Sequence, residues 1–318
     1  MSADVAAETH RDVAHGAHEQ ARAPVRIAAI SLFVTACLLA LKLVLGLISG
    51  SIAVLSDAVD SGTDLTAGAA ALISVRIAAW PADESHPYGH GKIESISASV
   101  AATIIAVGGG FVVFQAVGRL MGGSPEIDVG VGMIAVVAAA AANILVAFFM
   151  RREARRSGSM ALHAEATHLQ TNVVQAGAII IGLSLVWITD EAIFDPLVAL
   201  GLAAYMGWTA VGLVRAALAE IMDSALPEEE LKIIQDVVQA HSGEIKGFHR
   251  LRTRRSGATR HVDMHLVFEP DRTVAQAHGI CDSIERDIQE RLPGTVVVLH
   301  FEPDRGQPRE PIEDIARS

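Results

Sequence analysis

Charged side chains are scarce in this chain. They make up 19% of its 318 residues, against about 25% in ordinary soluble domains. Hydrophobic residues reach 51% and are clustered, which excludes a wholly soluble architecture. Cysteine is scarcer still: Cys37 and Cys281 alone exclude a disulfide framework. A formal net charge of −11 does not suggest a nucleic-acid partner. HExxH is missing, and HAEATH sets His163 and His168 five apart with no positioned base. An intramembrane metalloenzyme is therefore the weakest of the functional readings, although a metal with an open coordination position would permit it. No cleavable signal peptide is expected in the first 25 residues, which are polar and partly acidic. Residues 1–25 read as a disordered cytoplasmic tail. Its His10, His15 and His18 are solvated or, alternatively, weakly scavenge metal.

A window of about 19 residues picks out six candidate spans. They are Ile27 to Ile48, Ile52 to Ile77, Ile93 to Met121, Val129 to Met150, Ala166 to Thr189 and Ile193 to Ile221. Each can cross a hydrocarbon core of about 30 Å at about 1.5 Å per residue. The second, third and fifth carry the polar residues and are expected inside the bundle; the fourth, largely Ala and Val, can face lipid. Arg151, Arg152, Arg155 and Arg156 follow the fourth span, Arg76 and Lys92 flank the second connection, and Arg22 and Arg26 precede the first span. By the positive-inside rule, both termini are expected in the cytoplasm.

At DSALPEEE the texture changes, and Pro227 with three glutamates reads as a new helix start. The domains expected are thus 26–223 (six transmembrane helices), 224–304 (cytoplasmic) and a flexible tail, 305–318. EEELKIIQDVVQAH has helical period. GFHRLRTRRSGATRHVDMHLVFE reads as two strands around a Gly-containing turn. TVAQAHGICDSIERDIQERL is a second helix and TVVVLHFEP a third strand. The order α-β-β-α-β over about 80 residues is that of a small ferredoxin-like α+β domain. His249, His265, His278 and His300 fall on it, with Glu302 on the face of His300. They are either ordinary surface histidines or a metal cluster.

The membrane segment holds two polar pairs. Asp60 and Asp64 sit four apart in SIAVLSDAVDSGTDLTAGAAALISV, and His168 and Asn172 four apart in ATHLQTNVVQAGAIIIGLSLVWI. A carboxylate at bilayer depth costs about 2.5–3.5 kcal/mol on insertion scales, so it faces a polar path or a partner. Spacing of four puts each pair on one helix face, and two such half-sites can share one divalent cation.

SDAVDSGTD, PADESHPYGHGKIES, HLQTN, LRTRRSGATR and the layout of six spans plus tail resemble the cation diffusion facilitator family, most closely its bacterial ferrous-iron/zinc efflux branch. The likeness runs from about Arg26 to Asp304. It implies a homodimer in the bacterial inner membrane that exchanges a cytoplasmic divalent cation (zinc, iron, manganese or cadmium) for protons by alternating access. It also implies that Asp60, Asp64, His168 and Asn172 hold the cargo. Asn172 departs from the family's usual Asp. An amide oxygen is a poorer zinc ligand, so selectivity or coupling is expected to be altered, with water or Asp57 supplying the missing ligand, or with Asp57 merely hydrated. The resemblance makes Asp83, His86 and His90 a cytoplasmic metal site, where the residues alone read as a solvated, helix-capping loop. It places His249, His265, His278, His300 and Glu302 in a regulatory metal site at the meeting of two tails, with Glu302 standing for the usual Asp. Lys92, Asp223 and Arg254 match a charge interlock that holds the dimer; for Lys92 and Arg254 the alternative is positive-inside anchoring. A second function in the same fold is a metal-responsive regulator that does not transport.

Overall fold

The computed structural model describes residues 2–49, 52–121 and 130–305, the side chains of 2–22, 45, 46, 49, 52–60, 130–136 and 183 lying outside the description. Two compact units divide at Leu218 and Ala219.

The first unit is helical throughout: α1 (Ser2–Ser49), α2 (Ile52–Ala78), α3 (Ile93–Leu120), α4 (Gly130–Ser157), α5 (Met160–Thr189) and α6 (Phe194–Ile221). Among the described residues, four stretches are long and apolar enough to cross a membrane: Ala23–Val44, Ile93–Leu120, Met160–Thr189 and Phe194–Ile221. Three boundaries differ from the sequence expectation by more than one residue, the first being the end of α4, which runs on from Met150 to Ser157. The helix α1 begins at Ser2 and takes in the residues assigned to a disordered tail; that segment is rich in alanine, the best helix former. The helix α5 begins at Met160 rather than Ala166, because Ser159 caps it by accepting from the Leu162 N–H. Glu94, at the start of α3, completes that end. Its Oε2 accepts from the Ser159 hydroxyl and the Ala161 N–H, so one buried carboxylate joins the N-termini of α3 and α5.

Small side chains let these helices approach. Ala98, Ala101, Ala102, Ala164, Ala210 and Ala217 pack α3, α5 and α6 together. Ala28, Ala154, Ala161 and Ala166 do so for α1, α4 and α5. Such residues suit packing in lipid, where close backbone contact replaces the hydrophobic drive. Large apolar residues point outward instead, among them Phe33, Val107, Phe114 and Trp208. The helix α5 is central, touching α2, α3 and α4.

The second unit follows the order α7 (Glu228–Ala240), β1 (Gly247–Ser256), β2 (Thr259–Phe268), α8 (Val274–Arg291) and β3 (Thr295–Pro303). The sheet runs β1-β2-β3, with β1 antiparallel and β3 parallel to β2. Ile234, Val237 and Val238 of α7, Ile280, Ile284 and Ile288 of α8, and Val262, Met264, Leu266 and Val297 of the sheet make one core. Alternation along a strand leaves His265 and His300 on the opposite, uncovered face. A bulge brings His249 there as well. His249 pairs with His265 but Arg252 with Asp263, so β1 carries one extra residue. Arg250 absorbs it in the left-handed region, at φ 52°. The capping box Thr273–Gln276 starts α8. Glu230 of α7 receives two hydrogen bonds from Arg255 and two from Arg260, at 2.7–3.0 Å. Burial raises the Glu230 carboxyl, and the two guanidiniums more than offset it, holding it below its ordinary value.

Candidate cation sites

Three groups of ligating side chains stand out. In the first unit, His168 Nε2 on α5 lies 2.9 Å from Asp64 Oδ1 on α2. The imidazole is buried, 4% exposed, and its Nδ1 has no hydrogen-bond partner among the described residues. Asn172 is half-buried one turn further along α5. Asp57 and Asp60 lie on the α2 backbone, but their side chains fall outside the described residues. The geometry therefore joins Asp64 to His168 and sets Asn172 on the same helix face.

Sequence reading missed two polar groups nearby. Lys42, buried in α1, donates from Nζ to Ser61 Oγ at 2.9 Å; its signal was the one lysine in the first span. Glu165 is 1% exposed, and neither carboxylate oxygen has a hydrogen-bond partner among the described residues. It was missed because the fifth span was started one residue after it. Arg119 and Asp195 form a half-buried ion pair between α3 and α6.

The second group lies in the α2–α3 connection. Asp83 Oδ1 accepts from the Ser85 and His86 N–H groups at 2.9 and 2.7 Å, fixing the turn. The His86 N–H is the largest cause holding this carboxyl below its ordinary range, with His90 and His86 adding to it. His86 Nδ1 and His90 Nε2 each stand 3.4 Å from an Asp83 oxygen. That separation is about the edge of a tetrahedron around an ion bound at about 2.1 Å. His90 Nδ1 is buried without a hydrogen-bond partner among the described residues, and Gly89 at φ 82° turns the chain between the two imidazoles. The residues present fit a small divalent ion.

The third group stands on the uncovered face of the sheet. His249 Nε2 lies 3.0 Å from Glu302 Oε1, and His265 Nδ1 lies 3.8 Å from Glu302 Oε2. These three offer ligand atoms within 4.8 Å of one another. The His300 ring is 4.7 Å from that of His265, at the edge of the cluster. His278 is elsewhere, exposed on α8 and paired with Asp282 at 3.3 Å. Burial, with the neighbouring His300 and His249, pushes His265 below its ordinary value. That favours the neutral imidazole a metal requires.

In the interlock set, Asp223, two residues past the end of α6, is in the left-handed region and lies 3.4 Å from Arg254 Nη1. Lys92 sits in the first unit at the N-cap of α3.

Long apolar helices packed through small residues, with a carboxylate and an imidazole paired in their interior, define a helical membrane protein built to handle a cation. Comparison with known proteins makes the class specific. The cation efflux transmembrane domain matches residues 28–222, and the cation efflux protein cytoplasmic domain matches residues 226–304. The cation-efflux pump FieF of Shigella boydii serotype 18 is 36% identical over 273 residues, covering 86% of this chain and 90% of the relative. FieF of Escherichia coli O1:K1 matches with the same identity and coverage. Among solved structures, CzrB, described as a zinc transporter, matches in its zinc form at 35% identity and a TM-score of 0.26. It covers 27% of this chain and 99% of the solved one. The chain belongs to the cation efflux, or cation diffusion facilitator, family. It is a multi-pass membrane transporter of cations and not an enzyme.

Proposed function

We propose that this chain is a homodimeric antiporter of the inner membrane that exports a divalent cation, of the zinc, iron, manganese and cadmium class, in exchange for protons. The observation carrying this reading is the Asp64–His168 pair, 2.9 Å apart on two facing helices of the bundle. All six helices cross the bilayer with both termini cytoplasmic, in keeping with the Arg-rich end of α4. Asp60, Asp64, His168 and Asn172 hold the cargo. With both aspartates ionised and His168 neutral, the ligands carry −2 and balance a divalent ion. A metal and protons compete for the same lone pairs, so loading from a neutral cytoplasm and release into a more acidic compartment follow from one set of ligands. Asn172 contributes an amide oxygen in place of a charge, which shifts preference toward harder ions such as manganese or ferrous iron. The loop set Asp83, His86 and His90 is a cytoplasmic metal site. The tail is ferredoxin-like, senses metal through His249, His265, Glu302 and the adjoining His300, with His278 a separate ligand on α8, and meets its partner copy there. Lys92, Asp223 and Arg254 lock the two copies at the membrane surface.

The test is uptake of Zn²⁺, Fe²⁺, Mn²⁺ and Cd²⁺ into inside-out vesicles with an acidic interior. Gradient-dependent flux lost in Asp64→Ala, and a changed metal profile in Asn172→Asp, are expected. Absence of flux for every metal in the wild type would leave a non-transporting regulator of the same fold.

A further inference from the structure

Glu165 is a carboxylate inside an apolar bundle, 1% exposed, with neither oxygen hydrogen-bonded among the described residues. An unpaired buried carboxylate is among the costliest groups a fold can carry, so it calls for a counter-ion, either a proton or a metal cation. Two features of its surroundings narrow what that ion is.

The first is alignment. Positions 165, 168 and 172 are spaced i, i+3 and i+7, which puts Glu165, His168 and Asn172 in one stripe of α5. Glu165 lies about 4.5 Å from His168 along the axis, at about 1.5 Å per residue. The second is the facing helix. On α2, Gly68 follows Asp64 by one turn, and a Cβ added at Gly68 would stand 3.3 Å from Glu165 Oε1. The two helices therefore meet at two successive levels. Asp64 faces His168 at the first, and the Glu165 carboxylate enters the space left by the missing Gly68 side chain at the second. The second level is nearer the C-terminus of α2 and the N-terminus of α5. In the orientation proposed above, these are the cytoplasmic ends.

We propose that Glu165 is a further ligand for the transported divalent cation, a staging carboxylate that takes the ion from the cytoplasmic side one helical turn before Asp64 and His168. It also returns to the α5 stripe the negative charge that Asn172 does not supply. The assignment rests on the transport reading given above.

Zn²⁺ flux is measured on the full chain in proteoliposomes, with the metal presented on the cytoplasmic face, for wild type, Glu165→Gln, Glu165→Asp and Asp64→Ala. Glu165→Gln keeps shape and removes charge. It raises KM for Zn²⁺ at least tenfold while kcat stays within about threefold, a split that a merely structural role would not give. Glu165→Asp keeps the charge but retracts it by about 1.5 Å, one C–C bond, and raises KM about threefold. It serves as the test by itself if the Gln variant does not reach the membrane. A wild-type KM in whichever variant folds, with Asp64→Ala inactive, overturns the assignment and leaves the transport reading standing. So does a fall in kcat at unchanged KM, the mark of a group that handles protons rather than metal. Absence of flux in the wild type overturns the transport reading and the assignment with it.

Discussion

Replacing Glu302 with glutamine removes the carboxylate from the cluster on the open face of the sheet, where it stands 3.0 Å from His249 Nε2 and 3.8 Å from His265 Nδ1. Without metal the cost is small. Glu302 and His249 are each about one-third exposed, and a pair of that kind is worth about 0–1 kcal/mol. With zinc the cost is larger. Loss of an outer-shell partner weakens metal affinity by about 10–100-fold, so loss of a charged ligand weakens it by about 100-fold or more. At zinc held one hundredfold above the wild-type Kd, binding stabilises the fold by about 2.7 kcal/mol. The variant, then near its own Kd, gains about 0.4 kcal/mol by the same relation. The difference of about 2.3 kcal/mol corresponds to about 9–18 °C in Tm for a domain of this size. A fragment spanning residues 219–318, which contains the whole of the second core, is suited to the measurement by circular dichroism with and without zinc. The two proteins should melt together without metal and separate widely with it. A Glu302→Gln variant that keeps most of its zinc-dependent gain would refute the role of the carboxylate as a ligand.

Two further outcomes are expected. In Glu230→Gln the network with Arg255 and Arg260 loses its charge, costing about 2–4 kcal/mol at pH 7. Glu230 is held below its ordinary value, so its contribution is present above the unfolded carboxylate pKa and fades as pH falls through the folded value. Urea unfolding should show the gap between wild type and variant closing on acidification, and a pH-independent gap would contradict the assignment. Asp83→Ala should release the turn that the Ser85 and His86 N–H groups make with it and abolish zinc binding in the α2–α3 connection. Isothermal titration of the full chain would read this as one fewer bound ion per chain.

The helices and strands were legible because their periods are clean. The spans at α2, α3 and α6 differ from the structure by at most one residue at either end, and the α-β-β-α-β order follows from the alternation in β1 to β3. What was not legible depends on a partner far away in sequence. The start of α5 is set by Ser159 together with Glu94, 65 positions earlier, and hydropathy cannot see a cap completed by another helix. Glu165 was hidden for the same reason, since its polarity placed it outside the span that it belongs to. The Asp64–His168 contact was readable as two half-sites of matching spacing, and the resemblance supplied the link between them. The separation of His278 from His249 and His265 was not readable, because spacing along a chain does not say which face of a small domain a helix presents.

The extra residue at Arg250 has a consequence for how β1 tolerates change. Up to His249 the strand is read in one phase, with Phe248 toward the helices and His249 away; from Leu251 onward the phase is inverted. Substitutions within the strand leave that phase intact, whatever they do to packing. Loss of one residue between His249 and Arg252 would join the two phases and turn the whole N-terminal end of β1 over, burying an imidazole and exposing a phenyl ring. At this point the count of residues carries the information, and single deletions here should be far more damaging than any single replacement.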